Sequence, residues 1–404
     1  MPSGTLQVYT ALAENAAPLP GVTVLVLNEA GTQIARLTTN DVGSAPELVL
    51  TAPDEAYSLD EANTTVRPYA VYQLRAEMTG FQTIELEGVQ VFAGHQTVAR
   101  LQFLPAARTL PEVEPETIPE HPLFAGDGGS GPAPIGRCAD ARVLSEVVVP
   151  KKITVHLARP AVSAANVTVS FQDYIANVAS SEVYPTWPEQ ALRANILAQI
   201  SLALNRIWTE WYPSRGYSFN ITGSPGYDQA YVNGRTVFAV MERLTAELFN
   251  TFVQRSGDAE PYFTEYCDGK TVTCPGMKQW GTVDRAREGM NALQILRYYY
   301  GNRVQLVTTD NIAAIPSSYP GSPLRRGSTG TNVRILQKQL SRIAKDYPSF
   351  GKPVVTGTFD EATENSVKKF QKQFSLTADG VVGRPTWNKV SFIYVSVKDL
   401  AELT

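Results

Sequence analysis

The chain has 404 residues, of which 43% are hydrophobic and 18% charged, so it has an ordinary globular composition and a length that favours two or three domains. A net charge of −4 without a long basic run argues against nucleic acid as the main partner, because phosphate binding needs clustered Lys and Arg. No apolar stretch approaches the ~20 residues of a membrane-spanning helix, and MPSGTLQVYT predicts no Sec-type signal peptide.

Histidine and cysteine usage restricts the chemistry further. The chain has three histidines and three cysteines: His95, His121, His156, Cys138, Cys267 and Cys274. Because no histidine follows residue 156, a serine triad, a Cys–His dyad or a zinc amidase contained wholly in the remaining part is disfavoured. The cysteines form neither a disulfide framework nor a four-ligand zinc site, and the sequence leaves open whether Cys267 and Cys274 pair or remain separate thiols.

Residues 1–104 are predicted to form β-structure. Apolar and polar residues alternate around Leu6, Val24 and Leu74, and glycines punctuate the run from Gly80 to Pro105 at expected turns. The segment resembles the carboxypeptidase-regulatory or transthyretin-like β-sandwich, and it contains no catalytic cluster.

A linker is predicted over residues 105–142. Its many prolines and the run GDGGSG cannot sustain a strand ladder or a helix, so the segment is expected to be extended and exposed. An exposed linker is a natural protease site, and a passive spacer is the alternative.

A second domain, of mixed α and β structure, is predicted over residues 143–315. The run ITVHL indicates a strand, and a helix is expected near 236–253. A longer helix is predicted to begin at a capping box formed by Thr186 and Glu189, with Pro188 in its first turn. Its apolar side contains Leu192, Ile196, Ile200, Leu204 and Ile207.

Glu182 ends an apolar helical stripe. Ile175, Val178 and Glu182 have i, i+3 and i+7 spacing and therefore share one face. Burial raises the pKa of a carboxyl group, which is what a general acid working near neutral pH requires. The alternative is that the helix frays near Ser180 and Glu182 points to water.

The C-terminal region, residues 320–404, is predicted to be a compact all-α module of three helices. One helix contains Val333, Leu336, Leu340 and Ile343 on its apolar face. The second contains Val367, Phe370 and Phe374 and is expected to be capped near Asp360. The third is a short helix expected to begin at Trp387.

Two ordered segments of the central domain resemble SpoIID-type lytic transglycosylase domains. They are ASSEVYPTWPEQALRANILAQ and YCDGKTVTCPGMKQWGTVDRAREGMNALQILRYYYG. The resemblance implies that Glu182 is the catalytic acid, which protonates the glycosidic oxygen between N-acetylmuramic acid and N-acetylglucosamine. Its carboxylate would then accept the proton of the muramoyl 6-hydroxyl, giving a 1,6-anhydro end.

The same resemblance suggests further residues that could line a sugar groove. These are Tyr227, Asp228, Tyr266, Gln279 and Trp280, each of which can equally be structural. Some members of the family bind zinc through a His and a Cys, but no histidine matches here. No metal and no cofactor are therefore expected.

The run from Leu324 to Trp387 resembles the peptidoglycan-binding domain type 1, with Arg325, Arg326 and Arg384 as speculative contacts. Together the parts resemble the SleC-type spore cortex-lytic enzymes. That resemblance implies a zymogen made in the mother cell and placed at the spore cortex, whose peptidoglycan contains muramic-δ-lactam. A subtilisin-like protease would activate it during germination by cleavage between about Gly126 and Glu146.

Two other functional classes remain open. One is a hydrolytic muramidase that uses Glu182 with a second carboxylate, Asp228 or Asp268. The other is a non-catalytic wall-binding or scaffold protein, whereas a wall amidase or peptidase is disfavoured by the histidine positions.

Overall fold

The computed structural model describes residues 1–106, 115–125, 144 and 146–398. Within them the chain is a mixed α/β protein with several hydrophobic cores and with helices near its C-terminus. The segment expected to contain the activating cleavage, between Gly126 and Glu146, lies outside the described residues apart from Leu144 and Glu146. No helix in the described ranges is both long and apolar enough to cross a bilayer.

The N-terminal region consists of two β-sheets that share one apolar core. Its elements are β1 (Ser3–Leu12), β2 (Thr23–Asn28), β3 (Gln33–Thr38), β4 (Leu48–Thr51), α1 (Ala56–Leu59), β5 (Ala70–Glu77), β6 (Ile84–Val91), β7 (Gln96–Phe103), β8 (Glu116–Thr117) and α2 (Pro122–Ala125). One sheet has the order β3-β2-β5-β6-β8, and the other contains β7-β1-β4. Leu6, Val24 and Leu74 are buried in the same cluster, as the period-two alternation predicts.

A long buried helix organises the central region. The elements are β9 (Val149–Pro150), β10 (Lys152–His156), β11 (Asn166–Ser170), α3 (Phe171–Glu182), α4 (Glu189–Trp208), a 3₁₀ turn (Pro213–Arg215), β12 (Ile221–Thr222), β13 (Val237–Phe238), α5 (Ala239–Leu248), β14 (Thr251–Arg255), β15 (Tyr266–Cys267), β16 (Met277–Lys278), α6 (Gln279–Arg287), α7 (Ala292–Tyr300), β17 (Val304–Thr308) and β18 (Ile312–Ala313). Helix α4 is buried on nearly all sides and contacts α3, α5, α6 and α7. Because it is enclosed, it fixes the positions of the shorter helices around it.

The predicted capping box at the start of α4 is wrong. The N-cap is Pro188, and no side chain caps the helix. The Thr186 hydroxyl lies 2.7 Å from the Ser58 hydroxyl of the N-terminal region instead. Glu189 forms ion pairs with Arg193 and Arg243. Both side chains of the predicted capping box therefore bind other partners and do not cap the helix.

The helix predicted near 236–253 is shorter in the structure. Val237 and Phe238 form β13, which pairs antiparallel with β7 and so extends an N-terminal sheet. The far end of the predicted helix becomes β14, which pairs with β17. Strand partners that are distant in sequence thus limit α5 at both ends.

Three helices form the C-terminal region, as predicted. They are α8 (Thr331–Ile343), α9 (Glu361–Gln373) and α10 (Arg384–Val397), with a 3₁₀ turn at Pro348–Phe350. Gly330 precedes α8 with φ +110°, a conformation that favours glycine. The Asp360 side chain accepts a hydrogen bond from the Thr363 N–H, which confirms the predicted cap. The third helix begins at Arg384 rather than Trp387 and is 14 residues long.

Aromatic packing and hydrogen bonds join the N-terminal sheets to the central region. The Phe92 ring meets the Phe238 ring edge-on at 5.2 Å and lies 5.4 Å from the Tyr184 ring. The Trp187 indole donates a hydrogen bond to the Ser58 carbonyl at 3.1 Å. The two regions therefore share a tightly packed interface, while the domain boundaries given above stay a prediction.

Candidate active site

Glu182 is the last residue of α3 and is only 7% exposed. The Ser170 side chain caps the start of this helix by accepting a hydrogen bond from the Asp173 N–H. Ile175 and Val178, on the same face as Glu182, are fully buried. The helix is intact to its end, so the carboxyl group points into the protein and not to water.

Three groups donate hydrogen bonds to the Glu182 carboxyl group. Oε1 accepts from the Ala230 N–H at 2.9 Å. Oε2 accepts from the Tyr266 hydroxyl at 2.7 Å and from the Gln199 amide at 2.8 Å. Burial raises the pKa of Glu182 to about 7, although these hydrogen bonds oppose the shift. A carboxyl group with this pKa is partly protonated at neutral pH, as a general acid must be.

A second layer of buried side chains holds these donors in place. Gln229 donates to the Tyr266 hydroxyl at 2.9 Å and to the Gln199 carbonyl at 3.1 Å. The Tyr174 hydroxyl donates to Gln229 Oε1 at 2.9 Å. Burial raises the pKa values of Tyr174 and Tyr266 well above the usual value, so both remain protonated donors.

A cavity of about 30 Å³ lies against the Glu182 carboxyl group, large enough for one or two water molecules. Its lining combines residues from five segments of the chain: Pro122, Leu123, Glu182, Pro225, Asp228, Ala230, Tyr266, Cys267, Asp268 and Gln279. Pro122 and Leu123 belong to α2, which precedes the segment expected to be cleaved. These two residues restrict the space next to the Glu182 carboxyl group while α2 occupies this position.

Anchoring contacts hold α2 against the central region. The His121 ring is fully buried and lies 4.6 Å from the Tyr184 ring. The His121 N–H donates to the Tyr69 hydroxyl at 2.9 Å, and Leu123 is buried in the same core as the helices around Glu182. Burial lowers the pKa of His121 well below its usual value. Uncharged contacts thus hold residues 121–125 against the central region.

Asp228, predicted as a groove residue or second acid, has other partners. It forms a buried ion pair with Arg206 at 2.8 Å. It also accepts hydrogen bonds from the Tyr212 hydroxyl at 2.5 Å and from the backbone and hydroxyl of Thr222 at 3.0 and 2.7 Å. Four donors therefore occupy its carboxylate, which favours a structural role.

Asp268, the alternative second acid, organises a loop. Its side chain accepts hydrogen bonds from the backbone N–H groups of Lys270, Thr271 and Val272 at 3.1, 3.0 and 2.9 Å. A disulfide bond joins Cys267 to Cys274 across the same loop. The pairing that the sequence left open is thus present, and it closes the loop that follows Tyr266.

The cavity brings together four of the six predicted site residues: Glu182, Asp228, Tyr266 and Gln279. The Gln279 side chain is buried, and among the described residues its Nε2 has no hydrogen-bond partner. Trp280 is buried against Trp187, with the ring centroids 4.8 Å apart, and Tyr227 precedes Asp228 without lining the cavity. Their roles as substrate contacts stay predictions.

Three participants were not expected from the sequence: the donors Gln199 and Gln229 and the lining residue Leu123. Gln199 lies on the face of α4 that meets α3, and its position next to Ile196 and Ile200 of the predicted apolar side is the one local signal. The other two gave no signal, because their proximity to Glu182 depends on long-range packing.

Arg235 is a buried cation at the interface with the N-terminal sheets. It donates to the Ser181 hydroxyl at 2.8 Å, the Thr236 carbonyl at 3.0 Å and the Gln90 side-chain oxygen at 3.3 Å. Burial lowers its pKa to about 9. Among the described residues it has no acidic partner within ion-pair distance, and neutral groups of both regions share its hydrogen bonds.

Comparison with known proteins identifies the C-terminal region. Residues 329–390 match the family model described as "Putative peptidoglycan binding domain". The chain is 35% identical over 82 residues to the zinc D-Ala-D-Ala carboxypeptidase of Streptomyces albus G, covering 20% of this chain and 31% of that protein. It is 30% identical over 143 residues to the N-acetylmuramoyl-L-alanine amidase CwlL of Bacillus licheniformis, covering 35% and 37%.

Among solved structures, the SleB N-terminal domain is 28% identical and has a TM-score of 0.17, covering 19% of this chain and 97% of that one. The chain spans roughly a third of the length of the two curated relatives. It therefore contains a peptidoglycan-binding module, and its function is related to the bacterial cell wall.

Proposed function

We propose that the chain is a latent spore cortex-lytic enzyme that cleaves peptidoglycan glycan strands as a lytic transglycosylase, with Glu182 as its catalytic acid and base. The observation that carries this proposal is the buried Glu182 carboxyl group, whose pKa is raised to about 7 and which lies against a cavity. The peptidoglycan-binding module supplies the substrate class.

One carboxyl group is sufficient for this reaction. Protonated Glu182 gives its proton to the glycosidic oxygen while the bond from C1 of N-acetylmuramic acid to that oxygen breaks. The 6-hydroxyl oxygen of the same sugar then bonds to C1, and its proton returns to the Glu182 carboxylate. The products are a 1,6-anhydro end and a free N-acetylglucosamine hydroxyl, and the enzyme is regenerated without water.

The partners of the neighbouring acids support this choice over hydrolysis. A hydrolytic muramidase needs a second carboxylate to activate water or attack the sugar. Asp228 is committed to Arg206, Tyr212 and Thr222, and Asp268 is committed to backbone N–H groups. Neither carboxylate is available in this arrangement, whereas Glu182 alone meets the needs of a transglycosylase.

Latency is supported by the position of α2. Pro122 and Leu123 line the cavity beside Glu182 and so narrow the space in front of its carboxyl group. Both residues precede the segment 126–143, so cleavage there by a subtilisin-like protease would break the covalent link between α2 and the central region. We propose on this basis that the N-terminal region inhibits the enzyme until germination. Synthesis in the mother cell and placement at the muramic-δ-lactam-containing cortex form part of the same proposal.

Mass spectrometry of soluble muropeptides released from decoated spore cortex tests the proposal. The samples are the uncleaved chain, a form cut at a protease site engineered within 126–143 and separated from its N-terminal fragment, and the same form with Glu182→Gln. Anhydro-muropeptides from the cut wild type alone are expected. Reducing muramic acid ends would favour the muramidase, and no release from any form would favour a wall-binding protein.

A further inference from the structure

The two oxygens of the Glu182 carboxyl group have different surroundings. Within the described residues, Oε2 accepts two hydrogen bonds, from Tyr266 and Gln199, whereas Oε1 accepts one, from the Ala230 N–H. A carboxylate oxygen has two lone-pair positions. Both positions of Oε2 are thus filled by donors, while Oε1 keeps one for a proton or a ligand.

The direction of the hydrogen bond between Tyr266 and Glu182 is fixed by a backbone carbonyl, which can only accept. The Gln199 backbone carbonyl can only accept, so it requires the amide nitrogen of Gln229, 3.1 Å away. That orientation directs the same nitrogen to the Tyr266 oxygen at 2.9 Å and leaves Gln229 Oε1 to accept from the Tyr174 hydroxyl. Since the Tyr266 oxygen already accepts from Gln229, its own proton is directed to Glu182 Oε2.

We propose that Oε1 is the oxygen of Glu182 that gives and takes the proton in the reaction, and that Gln229 is a positioning residue that acts through Tyr266 to hold Oε2. This inference rests on the proposed role of Glu182. Gln229 is fully buried and does not line the cavity, so it has no route to the substrate except through its neighbours.

Several ionisable groups surround this carboxyl group. Asp228, Asp268 and Tyr266 line the same cavity, and Tyr174 belongs to α3, the helix that ends at Glu182. Arg235 binds the neighbouring Ser181. Gln229 is uncharged and bonds to Tyr174, Tyr266 and the Gln199 carbonyl, so a substitution to another uncharged residue changes the Glu182 environment through hydrogen bonding and not through a new charge.

The test is the pH dependence of kcat and kcat/KM for the cut enzyme, measured as anhydro-muropeptide release. Tyr266→Phe removes a hydrogen bond that lowers the Glu182 pKa, so the decline in kcat/KM on the alkaline side should move up by as much as one pH unit. Gln229→Met removes the amide that donates to the Tyr266 oxygen, so the Tyr266 hydroxyl is no longer directed to Glu182. We expect a smaller shift of the same sign, with a fall in kcat of about tenfold and little change in KM.

Tyr262→Phe is the matched control. It removes a partly buried hydroxyl of the central region that accepts a hydrogen bond from Arg255 and, among the described residues, is not bonded to the Glu182 network. This variant should keep the wild-type pH profile.

If Tyr266→Phe and Gln229→Met both fold and keep the wild-type pH profile and kcat, the assignment of Oε1 and of Gln229 is overturned. Failure of the proposed function gives a different result. In that case Glu182→Gln keeps its activity, or the products carry reducing ends, whatever the two variants do.

Discussion

Leu123 lies in the same cavity as the Glu182 carboxyl group, although the two residues belong to regions on opposite sides of the segment expected to be cleaved. Leu123 is almost fully buried there, within the core that also contains α3 and α4. Cleavage would separate the segment that contains Leu123 from the central region, and the accessibility of the Glu182 carboxyl group would change with it.

Leu123→Ala in the uncleaved chain should therefore release activity before any cleavage. Truncating a buried leucine costs about 2–5 kcal/mol, part of which weakens the closed position of α2. We expect muropeptide release by the uncleaved variant to rise by about tenfold or more. The adjacent, less buried Phe124→Ala is the control, and equal activity of the two variants would argue against Leu123 as the inhibitory contact.

Glu182→Gln should change how stability depends on pH. The carboxyl pKa is about 7 in the folded protein against 4.5 for an ordinary Glu, so the folded state binds more protons between these values. This group's contribution therefore makes the folded state less stable as pH rises from 4.5 to 7. Relative to wild type, the variant should gain roughly 3 kcal/mol in unfolding free energy from pH 4 to pH 8.

Urea unfolding followed by tryptophan fluorescence at both pH values measures this difference. Glu189→Gln is the control of opposite sign, because hydrogen bonds from Arg193 and Arg243 lower the pKa of Glu189. That variant should lose stability relative to wild type as pH rises to 4.5, the ordinary Glu value, and the difference should change little above that pH, so a third measurement below pH 4 is included. A pH-independent difference for Glu182→Gln would mean that its carboxyl group is not perturbed by burial.

The Arg206–Asp228 pair should prove structural. Asp228→Asn removes the negative partner of a buried ion pair, which typically costs about 3–5 kcal/mol. The double variant Arg206→Met/Asp228→Asn removes both charges and should recover part of the stability and, with it, activity in the cut enzyme. If the double variant regains stability but stays inactive, Asp228 takes part in the chemistry and the muramidase becomes the better account.

The disulfide between Cys267 and Cys274 should support the site from the side of Tyr266. A disulfide that closes a short loop contributes on the order of 2 kcal/mol. Cys274→Ser should lower the thermal midpoint and reduce kcat several-fold, since the loop next to Tyr266 is less constrained. An unaffected kcat in Cys274→Ser would contradict this role.

Wall binding should depend on the C-terminal helices independently of Glu182. Phe370 in α9 is fully buried in the core of that region, so Phe370→Ala should destabilise it by about 3–5 kcal/mol. Sedimentation with purified peptidoglycan should then show lost binding, while the cut enzyme still releases products from short soluble glycans. Phe370 is preferred to a residue of α10 because Phe392 and Tyr394 of α10 also pack on the central core. Glu182→Gln should retain wild-type sedimentation.

The sequence by itself determined those features that follow from local periodicity. The i, i+3, i+7 spacing of Ile175, Val178 and Glu182 placed the carboxyl group on a buried helix face, and the alternation around Val24 placed strands correctly. Asp360 was identified as a cap because its partner, Thr363, is three residues away. Each of these features depends on neighbours within a few positions, whose spacing the backbone geometry fixes.

The tertiary structure alone decided which distant groups meet. Thr186 contacts Ser58 and does not cap α4, and Asp228 forms an ion pair with Arg206, which favours a structural role. Leu123 reaches Glu182 only because the N-terminal sheets dock on the central region. Such contacts depend on how whole helices and sheets pack against one another. No spacing between neighbouring residues in the sequence predicts that packing.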